Sequence, residues 1–305
     1  MSRETEKVFK EFQKYLDEHA GKDVTDEEIE RLLNEFMGRY NSNLPEPVTP
    51  ETATSSDDYL ELASLASSSR DALKYAKKAL ELDPYNFDAE SIAIEMKAND
   101  ATGLVQGYEK ALRKATKHME EEGYFEEEYI GNFWGVLETR PYMRLRSSYV
   151  RWMIMCGMYG HAKTECEELL RLCENDNMGM RYILMHLYAY FEEEASALAL
   201  HRQYGSNDET EMLLPLSILY YKRGDYIKAT RYLKRLAKVN KDLKRFLKLV
   251  QTGREEDFEG FEMDGGFRPD TMEELMVELH ENDFLFTSAD AYMQWADLQL
   301  RKAKK

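Results

Sequence analysis

Asp71-Ala-Leu-Lys-Tyr-Ala-Lys-Lys-Ala-Leu-Glu-Leu-Asp-Pro-Tyr-Asn86 is the stretch whose reading decides the fold. Ala72, Ala76 and Ala79 stand four and three residues apart, a stripe of small side chains on one helical face against which a second helix can pack closely. Pro84 has no N–H to continue the ladder, so it ends the helix. The theme returns in Gly224-Asp-Tyr-Ile-Lys-Ala229-Thr-Arg-Tyr-Leu233-Lys-Arg-Leu236, with Gly224 turning the chain between two helices. Gly160-His-Ala162-Lys-Thr-Glu-Cys166-Glu-Glu-Leu169 is a third copy, and a degenerate fourth runs through Ala195 and Ala199. Ala162 to Ala195 is 33 residues and Ala195 to Ala229 is 34, a period that marks stacked helix-turn-helix units.

This pattern resembles the tetratricopeptide repeat over most of residues 56–250, although the copies lack that family's early tryptophan. Two further stretches, Gly131-Asn-Phe-Trp-Gly-Val-Leu-Glu-Thr-Arg-Pro-Tyr-Met-Arg144 and Asn175-Asp-Asn-Met-Gly-Met-Arg-Tyr182, are similar to motifs of a bacterial tetratricopeptide family distantly like the suppression-of-tumorigenicity-seven proteins. The tail from Gly265 through Trp295 is similar to the end of those chains. The resemblance implies an all-α, right-handed helix-turn-helix solenoid of four to five units. It also implies an interaction scaffold without catalytic residues, cofactor or metal.

The rest of the chain fits around that solenoid. Helical stretches over residues 4–18 and 26–40 make an N-terminal pair (1–40), with Thr25 and Glu28 spaced as a capping box. Residues 41–57 hold Pro45, Pro47 and Pro50 among Ser and Thr and read as a linker. The repeats occupy 58–254, with a longer, irregular helical insertion between Met96 and Tyr129, and 255–305 forms an acidic loop and capping helices. The 305 residues carry 41 Lys plus Arg against 58 Asp plus Glu, a net charge of −17, which argues against general nucleic-acid binding. No apolar run is long enough to span a membrane, and the first residues lack the basic-then-apolar order of a signal peptide, so the expected location is cytoplasmic. Cys156, Cys166 and Cys173 have spacings that suit neither a disulfide framework nor a zinc knuckle and read as buried thiols.

Catalytic patterns are missing. The six histidines form no His-Glu-x-x-His pair, and the glycines at 157 and 160 lack the phosphate-loop spacing. No Gly-x-Ser-x-Gly elbow occurs. A calcium loop over residues 256–270 places Thr271 where a bidentate Glu is required.

The densest polar group is Glu138-Thr-Arg140-Pro141-Tyr142-Met-Arg144. Pro141 fits a first helical turn that Thr139 or its neighbour caps, and residues 175–177, among them Asn177, stand in the same place ahead of Arg181 and Tyr182. One reading makes Glu138, Arg140 and Arg181 an ionic network that locks neighbouring repeats. The other is a binding groove: the repeat register turns Arg144, Arg151, Arg181, Met185, Tyr188, Tyr221 and Lys222 toward a shared concave face. Arg side chains there would take a carboxylate, with aromatic and Met surface beside it. On that reading the partner is a protein or peptide with an acidic or carboxylate feature, and Arg144→Ala with Arg181→Ala abolishes capture without unfolding the chain. A regulatory subunit holding a small anion in the same groove is the alternative, and self-association through the solenoid ends is a third. Charge is also segregated: residues 222–254 carry 12 Lys plus Arg against two Asp, a net of +10, and 255–305 carry five against 14, a net of −9. Either the acidic tail covers the basic helices, or the basic face meets an acidic partner with which the tail competes.

Overall fold

The computed structural model describes residues 3–20, 24–42, 46–205, 208–253 and 267–302. Among them the chain is all-helical, with no strand. It divides into two compact units, Met1–Trp152 and Met153–Lys305.

The first unit contains α1 (Arg3–His19), α2 (Asp26–Ser42), α3 (Ser56–Ser64), α4 (Ser69–Leu82), α5 (Phe87–Lys97), α6 (Ala101–Glu121) and most of α7 (Arg140–Met155). The helices α1 and α2 pack on each other; Phe36 meets Phe12 at 5.4 Å and Tyr15 at 5.7 Å, and the Thr25 hydroxyl accepts from the Glu28 amide at 3.3 Å. The chain then runs without helix from Glu46 to Ser55, where a full capping box between Ser55 and Asp58 starts α3. Consecutive packing of α3, α4, α5 and α6 follows, with Ala76 and Ala79 fully buried and Ala72 nearly so, as the small-residue stripe requires. The longer helical insertion is for the most part the 21-residue α6, which is regular along its length. Its Gly107 lets α5 come close, since a Cβ there would lie 2.7 Å from Ile94 Cγ2.

The second unit contains α8 (Tyr159–Leu172), α9 (Met180–Tyr190), α10 (Glu194–Tyr204), α11 (Thr210–Lys222), α12 (Tyr226–Val239), α13 (Leu243–Gln251), α14 (Met272–Glu281), α15 (Asp283–Thr287) and α16 (Tyr292–Lys302). Sequential hairpins again set the packing. Gly224 takes φ +73° in the turn from α11 to α12, a conformation open to glycine at little cost. Ala162, Cys166, Ala229, Leu233 and Leu236 are all fully buried. The fourth copy needs correction: Ala195 and Ala199 are exposed, and Ala197 fills the close-packed position. Ala197 holds the same register as the other copies: Gly157 (φ 70°), Glu192 (φ 60°) and Gly224 (φ 73°) each lie five residues before the buried alanine, Ala162, Ala197 and Ala229.

The tail helices fold back on this unit. Helix α15 packs on α9, α14 on α11 and α13, and α16 on α12 and α13. Tyr292 is the pin: its hydroxyl bonds Ser217 Oγ at 2.8 Å, and Ser217 donates to the Ala229 carbonyl at 3.0 Å. Aromatic packing and hydrogen bonds hold the cap, including Trp295 on Tyr221 at 5.1 Å and Asn240 Nδ2 on the Thr271 carbonyl at 2.9 Å. The acidic loop of the sequence reading lies largely outside the described residues.

Candidate interaction site

The residues expected to line a groove are mostly already engaged. In the first unit, Arg144 sends Nε and one terminal nitrogen to the two oxygens of Asp88, at 2.8 and 2.6 Å. Its other terminal nitrogen meets both oxygens of Glu6, at 2.7 and 3.0 Å. Those two carboxylates outweigh the cost of burial and raise its pKa. Arg140 lies 3.5 Å from Glu6, donates to the Trp134 carbonyl at 2.8 Å and sits over the Trp134 ring. Pro141 occupies the first turn of α7, and Tyr142 is fully buried with its hydroxyl 3.0 Å from Thr116. The Thr139 hydroxyl donates back to the carbonyls of Phe133 and Val136. Glu138 is exposed and, with Phe9, Gln13 and Arg140, edges an open depression of about 340 Å³. Arg151 is exposed.

In the second unit, Asp176 caps α9. Its carboxylate accepts from the amides of Met180 at 2.7 Å and Arg181 at 3.1 Å, and from the Arg181 guanidinium at 2.9 Å. Burial pushes this carboxyl up against the pull of those donors. Asn177 accepts from the Cys173 thiol at 3.3 Å. Arg181 also bonds the Tyr182 hydroxyl and stacks on that ring, and Tyr182 donates to Glu209 at 3.3 Å. Replacing Asp176 with Ala removes the cap and leaves Arg181 without its carboxylate. The expected loss is about 2 kcal/mol by urea melting, with Asp176→Asn losing less.

The open-groove placement of Met185 and Tyr188 requires correction. Met185 is fully buried, and Tyr188 is 8% exposed with its hydroxyl on Glu167 at 2.9 Å. The physical reason is that α9 is enclosed by α8, α10, α11 and the cap helix α15. Lys222 donates to the carbonyls of Ala189 and Tyr190, at 3.3 and 2.6 Å, and so caps the end of α9; burial lowers its pKa. Tyr221 packs against Trp295, Tyr292 and Tyr226. Of the residues read as one network, Arg140 meets Glu6 and the Trp134 carbonyl, and Arg181 meets Asp176 and Tyr182.

An exposed surface does occur on α12, inside the basic segment that charge counting had marked. The sequence YIKATRYLKRLAKV places five cations and no carboxylate on one helix. Its inner side, Ala229, Leu233 and Leu236, is buried, so periodicity turns the cations outward. Lys228 pairs with Glu194 at 3.0 Å, and Arg235 pairs with Asp208. Arg231, Lys234 and Lys238 are exposed, and Lys234 and Lys238 make no ion pair among the described residues. At the helix start Ile227 is 86% and Tyr226 55% exposed. Ile227, Arg231, Lys234 and Lys238 follow one another at four, three and four residues, a stripe about 16 Å long. With Tyr226, Thr230, Arg235 and Gln299 of α16 they line an open groove of about 650 Å³. Counting charge found the segment but not the face, because only packing shows that the helix start leaves Tyr226 and Ile227 uncovered.

A buried acid cluster escaped sequence reading. Glu274 and Glu278 of α14 are 3% and 4% exposed, and both act on Glu211 of α11. His186 meets Glu278 at 2.7 Å through Nε2 and the Tyr182 carbonyl at 2.8 Å through Nδ1. Burial first, then the neighbouring carboxylates, pushes Glu211 up to about 8, and burial also raises Glu274. These four residues lie on three helices far apart in sequence, so no local spacing marks them. Cys166 and Cys173 are buried thiols and Cys156 is partly exposed; burial pushes Cys166 up. Among the described residues no group of three or more His, Cys, Asp or Glu is placed to hold a metal ion, and no helix is long and apolar enough to cross a membrane. No protein-family model matches the chain, and no curated protein matches it.

Proposed function

We infer that the chain is a non-catalytic interaction scaffold of stacked tetratricopeptide-like hairpins, whose partner is a protein or peptide segment rich in carboxylates. The observation that carries this reading is the outward face of α12, where exposed cations follow an exposed apolar start in a chain of net charge −17. The repeat reading draws support from the buried small residues Ala76, Ala162 and Ala229 in sequential hairpins. An exposed stripe about 16 Å long favours a helical or extended segment over a compact anion. Carboxylates along the partner would meet Arg231, Lys234 and Lys238, with an apolar residue against Ile227 and Tyr226.

The test is a titration with a labelled peptide of about 11 residues carrying Glu along one helical face and Leu at one end. Wild type is expected to bind it, more weakly as salt rises from about 0.05 to 0.3 M. Arg231→Glu/Lys234→Glu/Lys238→Glu, exposed positions that leave the core intact, is expected to lose at least about tenfold in affinity. Equal affinity in both proteins contradicts the reading. Binding of a single-stranded oligonucleotide in place of the peptide turns it toward nucleic acid.

A further inference from the structure

We propose that the face of α5 and α7 beneath α1 is a second docking surface, made for a helix bearing a Glu-Lys-x-x-Lys pattern, and that the chain's own α1 fills it in cis. The way α1 is held carries this. Along its described side chains the buried one is a charge, Glu6 at 6% exposure, while Phe9 is 44% exposed. The aromatic side of α1 is met by α2, where Phe12 and Tyr15 contact Phe36, and its hold on α5 and α7 runs through the Glu6 carboxylate.

The receiving group is set up by the body itself. Asp88, at the start of α5, grips Arg144 bidentately and fixes its guanidinium plane, so that the remaining terminal nitrogen points at both oxygens of Glu6. Such a fork is specific for a carboxylate and does not depend on which chain supplies it. Around it, Lys7 meets Glu61 at 3.0 Å and Lys10 meets Asp57 at 3.3 Å, side chains between about a third and a half exposed. Pairs of that kind set register and add little affinity. Glu6, Lys7 and Lys10 thus define the pattern a replacement helix must present. The tether through α2 and the proline-bearing residues 43–55 raises the local concentration of α1 to about the millimolar range, which a competing helix has to overcome.

The experiment uses the full chain and, as probe, a labelled synthetic peptide of residues 3–19. Wild type, its site filled, is expected to bind the peptide weakly; Glu6→Gln in the chain is expected to bind at least about tenfold tighter. The same peptide carrying Gln in place of Glu6 is expected to lose that gain. Lys7→Glu/Lys10→Glu, which sets like charges against Glu61 and Asp57 and so loosens α1 while leaving Glu6 in place, is expected to bind the peptide several-fold tighter than wild type and keeps the test valid if Glu6→Gln disturbs folding. Equal binding to wild type and both variants, or equal binding of the two peptides, overturns the proposal.

Discussion

Arg144→Ala lowers the stability of the first unit by about 3 kcal/mol rather than acting as a silent probe of partner binding. The side chain is 19% exposed and faces two carboxylates, Glu6 and Asp88, that are themselves 8% and 7% exposed. Alanine leaves both without the fork that satisfies them, and an uncompensated buried carboxylate costs more than the intact pair contributes. Arg144→Lys is expected to recover only part of the loss, because a compact ammonium cannot hold Asp88 bidentately and reach Glu6 as well. Urea unfolding with amide exchange read in α5 and α7 checks both variants. Unchanged protection in Arg144→Ala would return this arginine to the class of ligand-binding residues.

The second large effect is on pH dependence in the other unit. Glu211 titrates at about 8 in the folded chain against 4.5 for the ordinary side chain. A carboxyl whose folded pKa is raised favours folding while protonated, so its stabilising contribution is complete below about 4.5. It falls progressively as pH rises toward 8 and changes little beyond. Glu274, raised in the same direction, adds to the trend. The groups facing Glu211 are Glu274 and Glu278 from α14, Glu209 beside it, and Arg181 from α9, the one that opposes the shift. Removing the charge with Glu211→Gln is therefore expected to stabilise the second unit at pH 8 by about 2 kcal/mol, allowing for solvent screening of a half-buried group. At pH 4.5 the gain should vanish. Melting curves at the two values check it, and a gain of equal size at both would show that ionisation is not the cause.

The helices were legible because their signals are local. Ala72, Ala76, Ala79 and Pro84 fixed α4, Thr25 marked the start of α2, and Gly224 the turn before α12. The place of Ala197 was not legible, since its turn carries Glu192 where the other copies carry Gly157 and Gly224, so no glycine marked the left-handed position from which to count. The candidate groove failed at Met185 and Tyr188 for a different reason. Repeat register says which side of α9 looks away from its own hairpin, but not that α15, almost a hundred residues later, covers it. Likewise the arginine motif announced an ionic cluster, but its acids, Glu6 and Asp88, stand 138 and 56 residues away from Arg144. Charge counting found the basic segment of α12 because five cations on 14 residues is a local fact. Which of them lie open to a partner depends on Glu194 and Asp208, supplied by other parts of the unit.

The most direct measurement of the account is an amide chemical-shift map of the wild-type chain titrated with the Glu-faced peptide. Shifts confined to Tyr226–Val239 and the neighbourhood of Gln299 are the predicted result. Shifts centred on Arg151 and Arg181, with α12 silent, would contradict it and restore the groove that the repeat register first indicated.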